Sequence, residues 1–231
     1  MTHLTQTAAA ALVLTCALAA VGFTLNGAPA AIKIVFCSDR DGDSDIYTMN
    51  DDGSAAAGNP FPGSPYVYSY GHRNPQGLAV SAGGDIWLHE HGPRGGDELN
   101  RIEAGVNYGW PAITFGVDYS GGVISPYTEW EGMAQPDWQW TPSIAPSGLA
   151  VYNGELFPEW QGDLFVGALV AREVRRLEVS GGKLLAEEPL FSEIDARIRD
   201  VRNGPEGALY ILTPDRVLRV VPASPGDPEI R

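Results

Sequence analysis

Cysteine is nearly absent: the 231 residues contain two, Cys16 and Cys37. Cys16 falls in an apolar N-terminal run, so a chain processed there keeps one thiol and makes no internal disulfide. No CxxC pair is present, which removes the usual structural zinc frameworks. Positive charge is also scarce. Lys and Arg total 15 against 29 Asp and Glu, a formal net charge of −14. Binding a phosphate backbone needs Lys and Arg to neutralise it, so nucleic acid is excluded as a partner. A sustained helical period is missing, and GVNYGWP or NGPEG would break one. Turn residues are what abound: Gly 28 and Pro 18 beside 44% hydrophobic residues. That combination predicts an all-β fold of short strands.

The first 31 residues read as a segment apart. Ala8–Leu25 is apolar throughout, and GAPAA supplies small residues for signal-peptidase cleavage near Ala30 or Ala31. The n-region MTHLTQT carries no Lys or Arg, and the apolar run is just long enough to span a bilayer if left uncleaved. Residues 1–31 are therefore expected to be a signal peptide or N-terminal anchor. The mature protein is expected to be periplasmic or secreted, with membrane contact only if the segment stays.

Three glycine-led apolar stretches recur: GGDIWLHE, QGDLFVGAL and EGALYILT. Their centres, Ile86, Leu164 and Leu209, are 78 and 45 residues apart. If the first gap hides a divergent unit around GGVISPYTEW, the period is about 40–45 residues, that of a propeller blade. A β-sandwich with similar hairpins is the alternative. Residues 32–54 differ in style. IKIVFCSDRDGDSDIYTMNDDGS resembles one blade of a TolB-type propeller. Asp39, Asp41 and Asp43 mimic the start of an EF-hand loop, but Ser44 stands where the loop needs Gly and Asn50 where it needs a bidentate Glu. A hairpin with solvated acids is the better reading.

From Tyr70 onward the chain resembles the pyrroloquinoline-quinone (PQQ) dependent sugar dehydrogenases, the soluble glucose/sorbosone dehydrogenase family. The stretches that carry the resemblance run in order: YGHRNPQGLAV, EHGPRGGDELNRIEAGVNYGWP, ITFGVDYSGG, PSIAPSGLAVYNGELFPEWQGDLFVGAL and RIRDVRNGPEGALYILT. The resemblance implies a β-propeller, six-bladed in the family and incomplete here, over residues 55–222, with a tail at 223–231. It also implies PQQ over calcium, an aldose sugar substrate oxidised to a lactone, and an external electron acceptor. The cofactor takes the hydride while the protein supplies orientation and electrostatics.

The site residues follow from the motifs. PQQ is a flat tricarboxylate that suits forked cations. Arg197 and Arg199, at i and i+2, would on a strand face one side with Ile198 opposite. Ion pairs with Asp200 or Glu193 are the plain alternative. The resemblance gives Arg73 a place near the quinone oxygen, where positive charge stabilises a developing anion, and gives Asn74 a cofactor hydrogen bond. Pro75 and Gly77 would set the turn presenting them. Ser143 matches a cofactor-contacting hydroxyl. Gly92 and Pro93 match backbone carbonyls on the cofactor's calcium, while Glu98 and the Tyr108 carbonyl match a second, structural calcium. His89 and His91 need not be ligands, since calcium prefers oxygen. Trp138 and Trp140 could rim a sugar site, although core packing is the commoner fate.

Two departures stand out. The family's general base is a histidine N-terminal to GHRNPQG, and between the leader and Arg73 this chain offers only His72, which matches a structural place. Where the family often has a lysine near the ring, this chain has Val170. Two functions are carried forward: a PQQ- and calcium-dependent sugar oxidoreductase, truncated or fused and impaired in activity, or a non-catalytic calcium-binding propeller fragment.

Overall fold

The computed structural model describes residues 19–21, 33–39 and 44–223. The cleavage region at Ala30 and Ala31, Cys16, Asp41, Asp43 and most of the C-terminal tail lie outside the described residues. Four antiparallel sheets follow one another along the chain. The first holds β1 (Ala19–Val21), β2 (Lys33–Ser38), β3 (Ser44–Asn50) and β4 (Val67–His72). The second holds β5 (Pro75–Val80), β6 (Ile86–Glu90), β7 (Asp97–Ile102) and β8 (Trp138–Trp140). The third holds β9 (Pro146–Val151), β10 (Leu164–Ala168), β11 (Val174–Ser180) and β12 (Lys183–Leu190). The fourth holds β13 (Asp200–Asn203), β14 (Leu209–Leu212) and β15 (Val217–Val220).

Strands pair in sequence order within each sheet, and the first strands pack on one another: β1 on β5, β5 on β9, β9 on β13. The first strand of each sheet is therefore innermost, and the sheets are consecutive blades. The fold is a β-propeller, with four blades among the described residues where the resemblance implies six.

Period-2 side-chain alternation explains why the blades stack. On β10, Leu164 and Val166 face the second blade in a cluster with Trp87 and Leu99, while Phe165 faces the fourth with Val201, Leu209 and Ile211. A strand buried on both faces needs an unbroken apolar run, and LFVGA is one. Each such side chain, fully buried, contributes about 1.5–3 kcal/mol. A third cluster joins Val35 and Ile46 of the first blade to Leu78 and Leu88 of the second.

The glycine-led stretches mark equivalent places. Ile86, Leu164 and Leu209 are the first residues of β6, β10 and β14, the second strand of three successive blades. The gap of 78 residues holds no hidden blade, however. GGVISPYTEW lies in a long excursion between β7 and β8, which has turns and bends but no paired sheet. The TolB-like stretch supplies β2 and β3, so the boundary drawn at residue 54 falls inside the first blade. Ala19–Val21, within the run read as a leader, pairs with β2 as the innermost strand. Among the described residues, no helix is long and apolar enough to cross a membrane.

Blade arithmetic decides where loops go. Strands alternate in direction, so every connection from an even to an odd strand emerges at one end of the propeller. That upper face gathers the connections β4–β5, β6–β7, β8–β9, β10–β11, β12–β13 and β14–β15.

Candidate functional site

Every PQQ candidate named above sits in these connections. Arg73 and Asn74 are the entire β4–β5 link, Ser143 lies between β8 and β9, and Arg197 and Arg199 lie between β12 and β13. Gly92 and Pro93 lie in the β6–β7 loop, and Glu98 is near the start of β7. In a chain of net charge −14, Arg94, Arg172 and Arg216 join the same face.

The link Arg73–Asn74 is held from below by Glu90. Its Oε2 accepts the Arg73 and Asn74 backbone N–H groups, at 2.5 and 3.1 Å. Its Oε1 lies 3.2 Å from His72 Nδ1, and His72 Nε2 lies 3.0 Å from Ser69 Oγ. Burial alone would raise the Glu90 pKa, but the hydrogen bond and charge of His72 and the two amides hold it below the usual value. His72 is buried and stacked on Tyr108, so its place is structural.

The β6–β7 loop is pinned by a second buried carboxylate. Asp97 Oδ1 accepts the Gly92 N–H at 2.9 Å, and Oδ2 accepts the Ser143 hydroxyl at 2.5 Å and the Ala145 N–H at 2.8 Å. The Ser143 hydroxyl thus donates to protein. A Cβ on Gly92 would stand 2.2 Å from the Gly95 and Gly96 carbonyl oxygens, so only glycine permits this fold of the loop. Neither carboxylate was singled out from sequence. The signal available was a charged residue beside a glycine loop whose buried amides need acceptors.

The two histidines stitch blades together. His89 is fully buried and its Nε2 lies 3.2 Å from the Gly148 carbonyl, while His91 Nε2 lies 2.7 Å from the Pro146 carbonyl. Desolvation pushes the His89 pKa down to about 4, so it donates as a neutral ring. Gly77 is not a turn residue. It lies in β5, where a Cβ would sit 2.5 Å from His89 Nε2, so close packing is what it serves. Among the described residues no group of three or more His, Cys, Asp or Glu gathers as a metal site.

A cation does meet the loop carbonyls. Arg73 Nη1 donates to the His91 and Gly92 carbonyls at 2.9 and 2.8 Å, and its guanidinium lies 5.1 Å from the Trp110 ring centre. A small cavity beside it is lined by Glu90, Gly92, Glu98, Tyr108 and Trp110. Inside, desolvation and then the Glu90 and Asp97 charges raise Glu98 to a pKa of about 8. Behind it, Asn100 Nδ2 donates to Glu98 Oε2 at 3.5 Å, and the buried Asn100 Oδ1 has no hydrogen-bond partner among the described residues. Arg73 occupies the Gly92 carbonyl in this structure, and the carboxylate and carbonyl oxygens beside it are the donor set of a hard cation, so the residues fit calcium.

Arg197 and Arg199 are not on a strand, because β13 begins at Asp200. A 3-10 turn at Ser192–Ile194, flanked by Phe191 and Asp195 at positive φ, delays the strand. The alternation still holds: Ile198 is fully buried in the cluster between the third and fourth blades, while both arginines are exposed. Asp200 is taken by Arg202 at 2.8 Å. No hydrogen bond or ion pair reaches the Arg197 or Arg199 side chain among the described residues, so two guanidiniums stand ready for an anion. Asn74 is exposed, its Oδ1 accepting from Gln76 at 3.0 Å. Val170 is 65% exposed in the β10–β11 connection. Trp140 is buried and donates to Glu187 at 2.6 Å, and Trp138 packs partly buried on the same core, so neither forms a free rim.

A family model described as glucose/sorbosone dehydrogenase matches residues 39–220. The chain is 43% identical over 188 residues to the aldose sugar dehydrogenase YliI of Escherichia coli, covering 78% of this chain and 50% of that protein. A crystal structure of a glucose dehydrogenase superposes with a TM-score of 0.76 at 41% identity, over 84% of this chain and 62% of that one. The PQQ-bound form of an aldose sugar dehydrogenase from Streptomyces coelicolor gives 0.60 at 31% identity, over 80% and 52%. The chain spans about half the length of the curated relatives it matches.

Proposed function

The chain belongs to the glucose/sorbosone dehydrogenase family, and from that premise we propose that its upper face is a PQQ- and calcium-dependent site for oxidising aldose sugars. The observation that carries the reading is the pair of exposed guanidiniums without partners among the described residues, Arg197 and Arg199, on the face that also holds Arg73 and Asn74. Two forks on either side of a buried Ile198 anchor are oriented by the core rather than by ion pairs. They would bind carboxylates of the cofactor bidentately. Arg73, fixed by Glu90 through its backbone and by Gly92 through its side chain, would hold positive charge where an oxyanion develops. Gly92 and Pro93 would hold the cofactor's calcium and Glu98 and Tyr108 a second, structural one, and Glu98 would give up a proton on binding it. When bound, PQQ supplies the hydride-accepting quinone. Lactone release and a periplasmic or secreted location belong to the same proposal.

We propose further that turnover is slow. The three described histidines are all engaged: His72 with Glu90, His89 with Gly148 and His91 with Pro146. None is free to take a hydroxyl proton, and a positioned general base contributes about 10²–10⁴-fold. This observation also favours the second reading, a calcium-binding propeller without catalysis. A dye-linked assay on the full chain with D-glucose, PQQ and calcium chloride separates them. Slow, PQQ-dependent dye reduction is expected. None at all, with PQQ bound, leaves only the binding module. No PQQ binding overturns the site.

A further inference from the structure

The excursion between β7 and β8, residues 103–137, carries three of the four exposed large aromatic side chains among the described residues. Tyr119 is 70% exposed, Trp130 50% and Tyr127 48%. The last two form an edge-to-face pair with ring centres 4.6 Å apart at 86°. Exposed apolar side chains clustered on one segment mark a contact surface.

The pair is seated rather than loose. The Tyr127 carbonyl accepts the Thr114 N–H at 3.1 Å, and the Trp130 carbonyl accepts the Met133 N–H at 3.1 Å. Ser125 Oγ accepts the Tyr127 N–H at 3.1 Å. The excursion reaches the upper face, where Arg94 and Val117 exchange backbone hydrogen bonds at 2.9 and 3.2 Å. Ile113 and Thr114 line the cavity beside Arg73, so the pair is continuous with the site described above.

Charge selects the ligand class. No Lys or Arg occurs between Arg101 and Arg172, while Asp118, Glu129 and Glu131 surround the rings in sequence. Phosphate, sulfate and anionic lipid headgroups are disfavoured, because the segment itself carries no cation to neutralise them. A ligand with a flat C–H face for the ring and hydroxyl donors for the carboxylates fits both features.

We propose that Tyr127 and Trp130 form a stacking platform for a neutral pyranose, a second or later unit of an oligosaccharide. Only the placement of its reducing end at the upper-face site rests on the aldose reading. The test uses the full chain without cofactor, titrated with maltotetraose and with cellotetraose and followed by tryptophan fluorescence and calorimetry. A saturable response to at least one is expected, with D-glucose weaker by about ten-fold because it gains one site's contacts. Trp130→Ala should weaken binding by about ten-fold, the scale of one lost aromatic contact. Trp130→Phe should largely restore it, and Trp138→Ala should leave it unchanged. A thermal melt of each variant shows that it is folded. Absence of response to both sugars overturns the platform, as does equal affinity in wild type and Trp130→Ala. So does a wild-type self-association that Trp130→Ala dissolves without any sugar response. Glucose oxidation without oligosaccharide binding sinks the platform alone, and Trp130-dependent binding without oxidation sinks the enzymatic reading alone.

Discussion

Two connections on the upper face treat their polar groups in opposite ways. In the β6–β7 loop, the backbone and side chains are tied inward: Gly92 to Asp97, Asp97 to Ser143 and Ala145, and His91 to Pro146. In the β12–β13 connection, Ile198 is buried and the side chains of the arginines on either side of it reach no protein group among the described residues. The first arrangement holds two blades in register. The second leaves binding capacity unspent. Charged residues in similar loops of one face thus divide by whether a buried partner exists, and the proposed function assigns recognition to those whose side chains have none.

The comparison breaks most severely at Asp97. Replacing it by Ala strands the Gly92 and Ala145 amides and the Ser143 hydroxyl, and a loss of about 3–5 kcal/mol is expected. Chemical denaturation should show a lower midpoint at unchanged slope. A loss under about 1 kcal/mol would mean that the loop is not held from Asp97.

Next is the pH dependence of the same seam. His89 is held neutral with its pKa depressed from 6.5 to about 4, so the unfolded chain binds more protons between those values. Its contribution is complete above pH 6.5 and disappears as pH falls toward 4, on the order of 3 kcal/mol. Glu98 tilts the other way, since its raised pKa costs stability as pH climbs from 4.5 to about 8. Comparing wild type with His89→Gln isolates the histidine: the variant should lose the downturn below pH 6.5. Parallel curves would show that the buried ring is not its source.

The recognition side gives smaller numbers and the opposite pattern. Arg197→Ala and Arg199→Ala should each weaken PQQ binding by about 1.5–3 kcal/mol in a titration. Stability should move by less than about 0.5 kcal/mol, as for exposed side chains without partners. A melting shift as large as that of Asp97→Ala would place these arginines on the structural side.

Much of this was readable in the chain itself. Glycine-led apolar stretches located the second strand of three blades because a tight turn feeds a strand buried on both faces, and both requirements are local. The order of motifs indicated the family. Local sequence failed where partners are distant. Asp97 meets Ser143 and Ala145 across 46 and 48 residues, and nothing beside Asp97 announces them. GGVISPYTEW passed for a blade because Gly- and Pro-punctuated excursions and short strands share a composition. Ala19–Val21, inside the run read as a leader, pairs with β2, and an apolar run reads alike in both settings.

The link between the first two blades is two residues long, Arg73 and Asn74, whereas nine residues, 191–199, separate β12 from β13. A joint that short has no slack. One residue inserted between His72 and Pro75 would have to be absorbed by the strands, and a one-residue slip turns every side chain of a strand to its other face. Tyrosines and valines now facing solvent or neighbour would exchange places, and Glu90 would lose the amides it grips. The tip at Asp118–Gly122, closed on itself by hydrogen bonds of 2.7 and 2.8 Å, can lengthen without consequence for any blade. Insertional tolerance along this chain is therefore set by joint length: grafts belong at the tip, and the Arg73–Asn74 hinge admits none.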